Sequence, residues 1–542
     1  MKYAATAVLT ILLGALAGGL FGRLPSERAA STGDMSGLVG DYAEALQLID
    51  ESYGGNANRE KMADVSMQTM LWSLDPHSAF FTREEFRKLD EEQSSQFYGI
   101  GVSIFQHRDG VYVQAVIPNT PAAEAGLKYG DRILKVDGKD ALEWTSSEVS
   151  RNVRGERGTR VRIEIERLTS PEPIEMEIVR GGVPLPSVRN FFMLPNGVGY
   201  VGLTGGFQQT TSQEVAMAID ELKKRGMKSL ILDLRGNPGG ILEQAVSVVS
   251  KFIPDGKTAV TVRGAAATAL RELKTSGSSQ VDVPLVVMIN GGSASASEIV
   301  AGAVQDYNRG LVVGSESFGK GLVQRIFRLP YGTGLTLTTA RYYTPFGRSL
   351  QRDYSSGSIY DYYTHGEDLP SENGTVAEPK PIGSPVTLPD GRTLLGGRGI
   401  VPDVPVPQAT PNPLRSRINE AAFHFVRQLV AGRIQGFDTF RIEKQTFKAS
   451  LQPNEFAVSD KLFDAFRSYA VNDAKNGLTA ANINALDDHA KMRIRQEIAT
   501  ASYSTEAGTQ VLLENDPQIL KAMEMMPRAV ELAAKAKQNN LN

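Results

Sequence analysis

The chain has 542 residues, 41% hydrophobic and 22% charged, which gives room for three or four domains of about 150 residues and excludes a disordered, coiled-coil or collagen-like polymer. A net charge of −3 and the lack of any run of five basic residues leave no electrostatic footprint for nucleic acid. Cysteine is absent, which excludes disulfides, thiolate catalysis, zinc fingers and iron–sulfur clusters together.

Residues 4–21 form an apolar run behind Lys2, ended by Arg23 and Glu27. Such a run reads as an export signal and nearly spans a bilayer, which needs ~20 residues. The pattern Ala15-Leu16-Ala17 lies inside the run and no clean cleavage site follows Phe21, so residues 4–22 read as an uncleaved inner-membrane anchor in preference to a cleaved signal peptide. Lys2 then places the bulk of the chain outside the cytoplasm, in a periplasm or cell envelope.

Residues 37–93 read as helical. Tyr42, Leu46, Ile49 and Tyr53 recur at helical spacing, as do Met67, Met70 and Leu71. Leu74-Asp75-Pro76-His77-Ser78 is a turn, because proline cannot continue a helix. This region is expected to be an interaction or dimerisation arm. Over residues 97–181, strands at 102–105, 111–116 and 161–167, a short glycine-stopped helix at 121–127 and a strand-to-turn at 131–138 describe a small β-domain with helices. From residue 199, strands at 200–203, 229–234 and 284–289 alternate with helices at 212–224, 241–252 and 296–307, an α/β layer with a partly parallel sheet. Residues 353–400 are loop-rich, and 412–542 are mostly amphipathic helix. The fold class is multidomain α/β.

Histidines 77, 107, 365, 424 and 489 form no His-x-x-x-His pair and no Gly-x-Ser-x-Gly elbow occurs, so neither a zinc hydrolase nor an α/β-hydrolase has local support. Ser293, Ser295 and Ser297 alternate where a buried strand gives way to a helix. A nucleophile there stands beside unpaired helix N–H groups able to hold an oxyanion, although serine capping with Glu298 in the first turn explains the same pattern. Gly314 to Gly321 nearly spells a phosphate-binding loop, but Gly321 replaces the required hydroxyl and a strand follows. Lys320 held among glycines and apolar residues can lose its charge through desolvation and serve as a base. Asp233-Leu234-Arg235-Gly236-Asn237-Pro238-Gly239-Gly240 lies at a strand's carboxyl end, where α/β sheets place binding sites.

Together these motifs, in this order, resemble the carboxy-terminal processing (tail-specific) peptidases, serine peptidases that carry a PDZ domain. The likeness covers about residues 37–407, with residues 121–134 similar to part of a PDZ domain and Leu74–Ser78 and 399–403 similar to flanking motifs. It implies a Ser–Lys endopeptidase with Ser295 as nucleophile, Lys320 as general base, Gln324 orienting the lysine and Asp306 supporting the site. The amides of Ala296 and of Gly239 or Gly240 would hold the oxyanion. Phe97-Tyr98-Gly99-Ile100-Gly101-Val102 would bind the substrate's terminal carboxylate, and Arg154 would sense it. No cofactor or metal is implied. The partners would be proteins or peptides with free C-termini, together with a second copy of the chain through the helical regions. The expected domains are a signal peptide or membrane anchor at 1–30, a helical region at 37–93, a PDZ domain at 97–181, an α/β protease core with a loop-rich insertion at 190–407 and a helical region at 412–542. The rival reading is an inactive PDZ scaffold that binds tails without cutting them.

Overall fold

The computed structural model describes residues 35–264, 270–277, 281–354, 362–363, 384–408 and 412–541. The N-terminal apolar run and most of the loop-rich stretch near 353–390 lie outside the described residues. Among the described residues no helix is long and apolar enough to cross a membrane.

The chain divides into two units at Met70. In the first, helix α1 (Met35–Ser52) is joined to the start of α2 (Arg59–Trp72) by the Arg59–Asp50 ion pair and by a contact between the hydroxyls of Tyr42 and Ser66. Leu38, Val39, Tyr42, Leu48 and Ile49 of α1 are exposed.

The second unit begins at Leu71, so the expected helical arm does not run to residue 93. Ala79–Phe81 forms a strand, β1, followed by α3 (Arg83–Gln93), which a reciprocal Thr82–Glu85 box caps. Three apolar residues between Pro76 and that cap are too few to show a period, and β1 forms because a strand far along the chain pairs with it.

The next elements are β2 (Gln96–Gly99), β3 (Val102–His107), β4 (Gly110–Val116), α4 (Pro121–Ala125), β5 (Arg132–Val136), β6 (Lys139–Asp140), α5 (Ser146–Val153), β7 (Arg160–Glu166), β8 (Ile174–Val179) and β9 (Gly181–Pro184). They make an antiparallel sheet in the order β3-β4-β5-β7-β8, with β6 on β5 and a separate β2–β9 ribbon. Val161, Ile163 and Ile165 of β7 point into a core with Val111, Val113, Ile133 and Val149, while Arg160 and Arg162 face water, as the two-residue period of a strand requires.

A six-stranded sheet follows: β10 (Val188–Leu194), β11 (Val198–Leu203), β12 (Ser229–Asp233), β15 (Leu285–Ile289), β16 (Leu311–Gly314) and β21 (Val404–Pro405), parallel from β11 onward. Every residue of β12 and β15 is buried, since helices α6 (Thr211–Lys224), α7 (Leu242–Val249) and α8 (Ala296–Asp306) and the C-terminal region cover the sheet. Helix α7 is shorter than the expected 241–252: the chain leaves it at Ser250, and Phe252 and Ile253 enter the core. A second sheet, β1-β18-β13-β14, contains β13 (Thr258–Gly264), β14 (Leu270–Lys274) and β18 (Gly334–Tyr343), with β17 (Leu322–Arg328) on β18. A small β19–β20 ribbon (Val386–Thr387, Thr393–Leu394) precedes β21.

The C-terminal helices are α9 (Pro413–Val430), α10 (Asp460–Asn472), α11 (Ala480–Asn484), α12 (Asp487–Ser502), α13 (Thr505–Glu514), α14 (Pro517–Glu524) and α15 (Met526–Leu541). They hold the rest of the unit on two sides. Tyr112 and Tyr129 of the small β-domain share one core with Phe423, Phe425, Leu462 and Phe466. Ile519, Ala522, Met526 and Ala529 pack on Phe192, Ile231 and Val286 of the six-stranded sheet.

Candidate active site

The loop after β12 and the turn before α8 meet at the carboxyl end of the parallel sheet. The three serines there are not equivalent. Ser293 Oγ donates to the Leu234 carbonyl at 2.8 Å and Ser297 Oγ to the Asn237 carbonyl at 3.0 Å, both fully buried. These two hydroxyls fasten the α8 turn to the β12 loop. Ser295, between them, is half-buried and lines a cavity of about 760 Å³. Its backbone sits at φ 56°, ψ −113°, a conformation that costs a non-glycine residue ~1–3 kcal/mol and recurs at functional sites.

Gly239 (φ 95°) explains the close approach of the two loops. A Cβ there would stand 2.6 Å from Ser295 Cβ and 2.9 Å from Ala296 N. The Gly239 N–H donates to Asn237 Oδ1 at 2.9 Å, and the Gly239 carbonyl accepts from Phe207 N–H at 2.7 Å. In a planar trans peptide the next N–H, that of Gly240, points away from that carbonyl. Gly239, Gly240 and Ala296 all line the cavity.

Lys320 enters the same cavity from the loop before β17. Its Nζ donates to Gln324 Oε1 at 3.0 Å, and among the described residues no carboxylate forms an ion pair with it. Burial pushes its pKa below 10.5, with Glu298 and Asp75 pulling weakly the other way. The Gln324 amide is fixed from behind, because its Nε2 donates to the His77 carbonyl. The turn that supplies this carbonyl is rigid: Asp75 accepts from His77 N–H, Ser78 N–H and Ser78 Oγ at 2.7–2.8 Å. The His77 ring meets Tyr362 OH at 2.6 Å, and burial, then the charge of Lys320, lower its pKa to about 3.

One group that the sequence offers only as a helix cap organises both halves. Glu298, fully buried, accepts from Ser295 N–H at 2.7 Å, Ser317 Oγ at 2.6 Å, Gly319 N–H at 2.7 Å and Lys320 N–H at 2.9 Å. Burial raises its pKa to about 7, although each hydrogen bond opposes that rise. The amides that a phosphate loop would offer a nucleotide are therefore bonded to a carboxylate of the chain itself. The signal was present as the Ser-x-x-Glu spacing of a capping box.

Asp306 is not brought to the cavity. It closes α8, ten residues from its start and so about 15 Å away along the axis, where it pairs with buried Arg348 at 2.8 Å. Its role is to hold Arg348 and the Phe346 N–H at the rim of the core.

The small β-domain has its own apolar pocket, about 50 Å³, lined by Phe97, Gly99, Ile100, Gly101, Val102, Ile104, Val149, Val153 and Arg154 among others. The Tyr98 side chain does not line it; its hydroxyl accepts from Gln96. The Arg154 guanidinium lies 4.2 Å over the Phe97 ring, and both residues line this pocket and the large cavity.

Comparison with known proteins gives the site its context. Residues 197–362 match the model of Peptidase family S41, and residues 112–167 match a PDZ domain. The chain is 35% identical over 315 residues to a carboxy-terminal-processing protease of Bartonella bacilliformis, covering 57% of this chain and 72% of that one. It is 33% identical over 327 residues to the carboxy-terminal processing protease CtpA of Bacillus subtilis, covering 60% and 69%. It is similar to the solved photosystem II D1 C-terminal processing protease, with 25% identity, TM-score 0.35, and coverage of 68% of this chain and 92% of that one. The chain belongs to peptidase family S41, among the serine-type carboxy-terminal processing proteases with a PDZ domain.

Proposed function

We propose that this protein is a Ser–Lys endopeptidase that cuts extracytoplasmic proteins near their C-termini. The observation that carries the reading is one cavity holding a strained, half-buried Ser295 and a desolvated Lys320 whose ammonium bonds an uncharged amide. Neutral Lys320 takes the proton of Ser295 Oγ as that oxygen attacks the scissile carbonyl carbon. The oxyanion accepts from the N–H groups of Ala296 and Gly240, since the Gly239 N–H is already bonded to Asn237. Lys320 then protonates the leaving amine, and an ester on Ser295 remains. Water, deprotonated by Lys320, hydrolyses it. Gln324, fixed by the His77 carbonyl, keeps Nζ in place.

In this reading the pocket at residues 97–102 receives the substrate's terminal carboxylate on backbone N–H groups, and Arg154 reports its occupancy to the cavity it also lines. The chain is anchored by residues 4–22, with a PDZ domain at 97–181, a protease core at 190–407 and a helical region at 412–542. The exposed apolar side chains of α1 support association with a second copy.

The test is proteolysis of a protein substrate with a free C-terminus. Ser295→Ala and Lys320→Ala each abolish cleavage, and the double variant is no worse than either, because the two act as one unit. Tail binding with no cleavage by the unaltered chain would instead indicate a scaffold.

A further inference from the structure

Among residues that do not line the cavity, the turn between β3 and β4 meets α9 at a convergent set of ligand atoms. Glu420 and His424 are four residues apart on one face of α9, and His107 and Asp109 flank Arg108 at the turn. His107 Nδ1 lies 2.7 Å from Glu420 Oε2, and His424 Nε2 lies 3.1 Å from Glu420 Oε1 and 3.9 Å from Asp109 Oδ1. The ligand atoms of His107, Glu420 and His424 fall within 4.8 Å of one another. Metal–ligand bonds of ~2.0–2.2 Å in a tetrahedron put neighbouring donor atoms roughly 3.3 Å apart, inside the observed spread.

The His107 ring is fixed from outside the cluster. The His107 side chain is only 4% exposed, and among the described residues its Nε2 has no hydrogen-bond partner. The ring is held instead by stacking on Phe423, with centroids 3.7 Å apart, which keeps Nδ1 on the cluster. Tyr112 OH donates to Asp109 Oδ2 at 3.1 Å, the kind of outer support that orients a carboxylate ligand. The Arg108 guanidinium is drawn off to Asp473 and Asn476, while its backbone N–H donates to Glu420 Oε1 at 3.3 Å, so two imidazoles and the Glu420 carboxylate converge with Asp109 beside His424.

We propose that His107, Asp109, Glu420 and His424 bind one divalent transition-metal ion, with zinc the best match to the donor set. The ion would pin the β3–β4 hairpin of the PDZ domain to α9 of the helical region. Imidazole donors favour zinc over magnesium or calcium.

The test uses the full chain, freed of metal with chelator and titrated calorimetrically with zinc chloride and separately with magnesium chloride. The expected result is one zinc per chain, no magnesium binding, and a higher melting temperature with zinc. Asp109→Asn and His424→Gln, which keep hydrogen-bonding capacity, should each weaken zinc binding at least about tenfold. Both should leave the metal-free melting temperature in place. No zinc binding overturns the proposal, and so does an affinity unchanged in both variants, which would put the ion elsewhere. Neither readout involves proteolysis, so failure here leaves the peptidase reading intact.

Discussion

At the scale of single residues, the site turns on two groups whose ionisation burial has displaced. Lys320 must lose its proton to act as a base, and burial lowers its pKa, so neutral lysine appears at lower pH than in water. The rate of cleavage should therefore rise with pH through the neutral-to-alkaline range. Glu298, titrating at about 7, pushes the same way, since its carboxylate form best accepts the four donors around it. Lys320→Arg should be inactive at every pH, because a guanidinium stays charged. Glu298→Gln should lower kcat roughly 10- to 100-fold, the worth of hydrogen bonds to a charged group at ~1.5–3 kcal/mol, with KM little changed. Steady-state kinetics on the folded variant separates the two parameters. The sequence carried the serine triplet and the glycine-flanked lysine plainly, but family spacing alone preferred Ser295. The structure adds a physical reason: its two neighbours bond backbone carbonyls. The wider role of Glu298 was hidden because its partners at 317–320 come from a loop that no local pattern connects to α8.

At the scale of elements, the strands and helices of the α/β layer were legible because a buried parallel strand is a short continuous apolar run between helical periods. The turn at 74–78 was legible from Pro76, but its role and β1 were not, since these depend on β18 and the Gln324 amide, some 250 residues later. The same holds for Asp306, whose partner Arg348 no spacing rule identifies. The PDZ pocket yields a prediction at this scale. Amidating the C-terminus of a good peptide substrate removes the terminal charge without touching the scissile bond. Cleavage should fall about ten- to a hundredfold, again the ~1.5–3 kcal/mol of a charged hydrogen bond. Arg154→Ala should narrow that gap between acid and amide. Equal rates for the two peptides on the unaltered enzyme would mean that the pocket holds something other than a chain terminus.

At the scale of the whole molecule, the C-terminal helices, which the sequence presented only as amphipathic, prove to be a brace. They share a core with Tyr112 and Tyr129 of the PDZ domain and another with the central sheet. Arg427 adds bonds to the Gly130 carbonyl and Glu166 at 2.6 and 2.7 Å, and Tyr129 OH reaches buried Glu497 at 2.9 Å. Phe423→Ala, at the centre of the first core, should cost ~3–5 kcal/mol, read as a lowered denaturation midpoint. The role of Ser295 as the nucleophile activated by Lys320 can be read by labelling the whole chain with a serine-reactive fluorophosphonate and locating the adduct by peptide mass spectrometry. One adduct is expected, on Ser295, formed faster as pH rises and much more slowly in Lys320→Ala. An adduct on Ser293 or Ser297, or full cleavage activity in Ser295→Ala, would contradict it.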